Sequence, residues 1–73
     1  MNQEVKQALK NYLNRHQPAT IHGTAERIAM LIWMQDHTRC VSNILEALVE
    51  AERCRASGEE ENRVYLLSHT AFA

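Results

Sequence analysis

Two stretches of helical apolar periodicity in this chain are separated by only about four polar residues, and that short break limits its possible folds more than any other feature. Upstream, Ala25, Ile28, Ala29, Leu31 and Ile32 follow Gly23 as a broad stripe that Trp33 and Met34 close. Downstream, Val41, Ile44, Leu45, Leu48 and Val49 share one face of a segment from about Thr38 to Ala51. Gln35, Asp36, His37 and Thr38 stand between them, so the two helices must be neighbours joined by a tight turn. Thr24 is suited to cap the first of the pair, with Glu26 in the first turn where the helix dipole favours a carboxylate. Asp36 or Thr38 is suited to cap the second.

An earlier helix is predicted over residues 2–15, where Val5, Ala8, Leu9, Tyr12 and Leu13 recur at one-face spacing. It should stop near His16, because Pro18 disfavours helical backbone for Gln17. Residues 17–23 then form a connector in which Thr20 and Ile21 can make a very short strand. After residue 52 the period changes. Arg53 to Ser57 alternate polar with small or apolar side chains, Gly58 and three glutamates make a turn, and Arg63 to Leu67 read as a second strand. Residues 69–73 have no assignable partner and are expected to fray. The run Val64, Tyr65, Leu66 and Leu67 also leaves open a fourth helix over residues 59–69.

Helix, helix, short turn, helix and hairpin is the order of a winged helix-turn-helix, and the local sequence resembles that family. TAERIAMLIWM looks like its second helix, VSNILEALVEAERC like its recognition helix and exit, and CRASGEEENRVYLLS like a wing running into an Arg-Val-Tyr strand. The opening VKQALKNYLNRHQPATIHGTAERIA is similar to the start of small single-domain bacterial regulators of the PapI and FaeA fimbrial type. The fold class this resemblance implies is α+β, mostly helical, with three helices followed by a two-stranded β-hairpin wing, as one domain over residues 1–73. It implies a sequence-specific transcriptional regulator of a bacterium or phage that binds double-stranded DNA with its third helix. Three positions depart from the pattern. Glu52 stands where a glycine usually ends the recognition helix, Trp33-Met34-Gln35-Asp36 replaces a small or glycine-containing turn, and the wing tip is Glu59-Glu60-Glu61 in place of Lys or Arg.

By position on such a helix, His37, Thr38, Arg39, Ser42 and Asn43 would face DNA. Arg39 suits bidentate pairing with guanine and Asn43 with adenine. The same residues are also what the solvated face of any amphipathic helix requires. Eight Lys plus Arg against nine Asp plus Glu give a net charge of −1, which excludes coating of nucleic acid by charge alone. That total hides opposing parts: five basic and three acidic side chains over residues 1–45, but two basic and six acidic over residues 46–61. An acidic wing meets phosphate with like charge, so in a DNA complex helix three is expected to read the groove while the wing turns away. Few phosphate contacts then call for a homodimer or a larger regulatory protein partner.

The rival reading is a winged-helix protein-interaction module, an adaptor or inhibitor. Glu59, Glu60 and Glu61 would meet a basic partner, or simply make a soluble turn that blocks edge-to-edge aggregation. Trp33, the one tryptophan, is expected to fill the core beneath the turn, and would be an interface anchor if exposed. Two cysteines, Cys40 and Cys54, cannot build a disulfide framework, and neither they nor the four histidines fall at metal-ligand spacing. No metal or other cofactor is expected. No nucleophile, second carboxylate or phosphate-binding loop accompanies His37 and Asp36, so no enzyme is expected either. Without an apolar run of membrane length or a signal-peptide core after Met1, a cytoplasmic protein that avoids membranes is expected.

Overall fold

The computed structural model describes residues 2–17 and 19–73. Pro18, on which the expected stop of the first helix rests, lies outside the described residues. Three helices, α1 (Asn2–Arg15), α2 (Ala25–Leu31) and α3 (Thr38–Glu50), combine with three strands, β1 (Thr20–Thr24), β2 (Arg55–Ser57) and β3 (Val64–Ser68). The strands form one antiparallel sheet in the order β1-β3-β2, making this an α+β domain.

Burial follows the periodicity. Val5, Leu9 and Leu13 from α1, Ile28 and Ala29 from α2, and Val41, Leu45 and Leu48 from α3 are buried together. The i, i+4, i+8 spacing in α1 and the i, i+4, i+7 spacing in α3 place side chains over one another on a single helix face, and the adjacent Ile28 and Ala29 of α2 close against them in one core. The sheet supplies its layer by alternation: Ile21 lies opposite Leu67, and Tyr65 lies between Gly23 and Ala56. Ile21, Tyr65 and Leu67 are buried, whereas His22, Leu66 and Arg55 form the next row across the sheet and face outward.

The connector strand is longer than Thr20 and Ile21. All five residues of β1 pair with β3, so what sequence suggests as an isolated two-stranded hairpin is part of a three-stranded sheet. Residues 64–68 are strand, which removes the alternative fourth helix. The expected fraying of residues 69–73 is also corrected. His69–Phe72 form a helical turn capped by Ser68, whose hydroxyl accepts from the Thr70 N–H, and Ala71 is fully buried in the core. Burial of Ala71, with Phe72 packed half-buried against the core, supplies the partner that the sequence did not display.

The helix ends explain the remaining differences. Thr24 caps α2 as expected, its Oγ1 accepting from Arg27 N at 3.2 Å. Neither Asp36 nor Thr38 caps α3. A single helical turn, Gln35–His37, leads into it, and the Thr38 hydroxyl donates to the Gln35 carbonyl at 3.1 Å. At the end of α2, Met34 N donates to Ala29 O at 2.8 Å and Trp33 N to Met30 O at 3.2 Å. At the end of α3, Arg53 N and Glu52 N make the same pair of bonds to Leu48 O at 2.8 Å and Val49 O at 3.0 Å. Both are Schellman closures, which require one residue in the left-handed region; Trp33 at φ 60° and Glu52 at φ 61° take the place usually held by glycine.

Trp33 therefore does not fill the core. The closure reverses the chain so that Met34 packs inward, while Trp33 projects into solvent with 84% of its surface exposed.

Candidate nucleic-acid and partner surfaces

The outer face of α3 is free because its inner face is consumed by Val41, Leu45 and Leu48. Arg39 and Asn43, one helical turn apart, are exposed on that outer face, while Thr38 and Ser42 are half-buried. His37 sits half-buried in the turn before the helix. Thr38, Arg39 and Ser42 come together along an open groove of about 710 Å³ whose other walls are Thr24–Glu26, Glu60–Arg63 and Tyr65. His37 and Asn43 do not line it.

The hairpin root is held against α3. A carboxylate explains why: Glu46, two helical positions beyond Ile44, accepts hydrogen bonds from the Arg63 guanidinium and from the Tyr65 hydroxyl. Arg63 binds with two nitrogens, the Nη2 contact at 3.0 Å, and its Nη1 also donates to the Gly58 carbonyl at 3.2 Å. Its guanidinium lies 5.7 Å from the Tyr65 ring centre. These contacts clamp the root of the hairpin to α3 and set Glu60 and Glu61 across the groove from Thr38 and Arg39.

The clamp is also electrostatic. The Arg63 hydrogen bond, followed by that of Tyr65, holds the Glu46 carboxyl below its ordinary range. Burial, reinforced by the Glu46 carboxylate, raises the Tyr65 phenol. Arg63, the one basic residue of the hairpin loop and β3, is thus engaged by Glu46 and does not offset Glu59, Glu60 and Glu61, all exposed. Among the described residues lining the groove, Arg39 is the cation left without an ion pair, facing Glu26, Glu60 and Glu61.

Glu46, Arg63 and Tyr65 were not singled out as a group in the sequence. One signal was available: Arg63 and Tyr65 are two apart on a strand, so a cation and a hydroxyl point to the same side and call for one acceptor.

Elsewhere, Cys54 is buried, its thiol directed at the Arg55 carbonyl at 3.4 Å, and burial pushes that thiol up. Cys40 is half-buried. Among the described residues, no three His, Cys, Asp or Glu side chains gather as a metal site. No helix there is long and apolar enough to cross a membrane.

No family model, no curated protein and no solved structure matches this chain.

Proposed function

We propose that the chain is a small winged helix-turn-helix regulator that binds double-stranded DNA in the cytoplasm and reads the major groove with α3. The observation that carries this reading is the paired exposure of Arg39 and Asn43, one turn apart on the free face of a helix whose other face is buried. Side chains of these two types at that spacing reach the edges of neighbouring base pairs, arginine toward guanine and asparagine toward adenine. The element order, with a strand between the first two helices joining the sheet of a C-terminal hairpin, supports the fold assignment.

In this reading the hairpin loop and β3 give little to phosphate binding, because their one arginine, Arg63, is held by Glu46 and the tip is acidic, which leaves the exposed Arg55 of β2 as the hairpin's unpaired cation among the described residues. Non-specific affinity then lies near the weak end of about 10⁻⁴ to 10⁻⁶ M, and specific occupancy depends on a second copy or a larger partner. A labelled random duplex, followed by the DNA upstream of the coding sequence, titrated at low and at physiological salt, tests the proposal. Arg39→Ala and Asn43→Ala should each weaken specific binding by about 1–3 kcal/mol. No binding at low salt removes the regulator reading, and binding indifferent to both substitutions removes the assignment to α3.

A second reading, a protein-interaction module of the same fold, is favoured by Glu60 and Glu61 standing across the groove and by the exposure of Trp33. In that case a basic partner would occupy the α3 groove, and duplex DNA would fail to compete with it.

A further inference from the structure

Two depressions meet on the surface formed by α1, α2 and β1, sharing Tyr12, His16 and Leu31. One, of about 250 Å³, extends over Leu13 and Ile21 to His22 and Arg27; the other, of about 320 Å³, extends over Ala8 and Ile32 to Arg15 and Trp33. The stacked pair Tyr12 and His16, ring centres 4.3 Å apart, belongs to both and forms the rib between them. Neither depression has a carboxylate in its wall, although the chain carries nine acidic residues. Arg15 and Arg27 make no ion pair among the described residues.

Trp33 stands at the end of this surface. It is 84% exposed, its neighbour Met30 is 59% exposed, and it holds a left-handed backbone conformation that glycine would adopt without steric penalty. Large exposed aromatic and thioether side chains beside cations are the composition of an interface anchor.

We propose that this paired groove docks an acidic segment of another protein, with an apolar side chain packed against Tyr12, Leu31 and Trp33 and carboxylates meeting Arg15 and Arg27. Charge complementarity selects the acidic partner. The sparse charge selects peptide over nucleic acid, because among the described residues only two permanent positive charges, Arg15 and Arg27, line the whole surface. The groove shares no residue with the proposed DNA-reading set on α3, so this inference goes beyond the DNA reading and fails or stands separately from it.

Trp33 is the only tryptophan, so its emission reports occupancy directly. The probes are a short peptide alternating glutamate with leucine, its lysine-leucine counterpart, and an oligothymidine strand. The expected result is a saturable blue shift with the acidic peptide alone, with amide shifts centred on Tyr12, His16 and Leu31. Arg15→Glu with Arg27→Glu, both exposed positions, should weaken it about tenfold or more while circular dichroism stays unchanged. Absence of saturation, an equal response to the lysine peptide, tighter binding of oligothymidine, or shifts centred on α3 would each overturn the proposal. The Trp33→Phe variant, followed by amide shifts alone, separates the anchor from its role as reporter, and should bind more weakly than wild type.

Discussion

Replacing Glu52 with glycine should stabilise the protein, and the structure sets the size of the gain. Glu52 ends α3 at φ 61°, a left-handed conformation that brings Cβ against the following carbonyl and costs an L-residue roughly 1–2 kcal/mol. Glycine removes that penalty but loses about 0.5–1 kcal/mol more backbone freedom on folding. The difference spans about 0–1.5 kcal/mol, with a central net gain of about 0.75 kcal/mol. A further few tenths, about 0.3 kcal/mol, come from taking a carboxylate away from the negative end of a helix that has no basic residue in its last turn. The side chain is exposed and makes no hydrogen bond among the described residues, so little contact is lost. For a domain of this size the melting temperature should rise by about 3–8 °C. Calorimetry or urea unfolding of Glu52→Gly, compared with Glu52→Gln, separates the two contributions: glutamine removes charge and keeps the strained backbone, so it should recover only the small electrostatic part. A Glu52→Gly variant no more stable than Glu52→Gln would refute the Schellman assignment and the conformational reasoning behind it.

Gly58→Ala should act in the opposite sense, since φ there is 81° and an added Cβ would lie 2.4 Å from the Asn62 carbonyl oxygen; a loss of about 2 kcal/mol in urea unfolding is expected, and an unchanged midpoint would contradict the turn geometry. The Glu46 clamp predicts a pH dependence. Its carboxyl is depressed in the folded state, so its stabilising contribution is complete above the unfolded value near 4.5 and is lost as the pH falls through the lower folded value. Wild type should therefore lose stability relative to Glu46→Gln as solutions are acidified below about pH 4.5, and parallel curves for the two proteins would remove the clamp. Ala71→Asp should destabilise by about 3 kcal/mol or more, because the position is 1% exposed and offers no partner for a charge; proton exchange at β3 and α1 should report the loss, and a neutral result would return residues 69–73 to a frayed tail.

The long periodic elements were legible in the sequence because each encodes its own burial. Val5, Leu9 and Leu13 mark α1, and Val41, Leu45 and Leu48 mark α3, without reference to any other segment. What was not legible depends on partners far along the chain. Thr20 and Ile21 give no sign of a five-residue strand, since its length is set by residues 64–68. Trp33 reads as core by its composition, and only the closure bonds to Ala29 and Met30 turn it outward. The position of Ala71 follows from a contact that a short apolar pair cannot announce. At the candidate surface, the exposure of Arg39 and Asn43 follows directly from helical period. The acidic wall opposite Arg39 does not, because it rests on the Glu46, Arg63 and Tyr65 contacts between two elements.

The pairing of β1 with β3 also governs how this chain must fold in time. The helices rest on local contacts, but β3 is the central strand, and its longer ladder is with residues from the first third of the sequence. Closing that loop has to precede the reward of the sheet, so the hairpin gains most of its pairing only after the helical segments have drawn β1 into place. The last strand then acts as a lock on the whole domain. A nascent chain lacking residues 64–68 would have helices without a seal, and once those residues arrive, helices and hairpin are committed to a single cooperative unit.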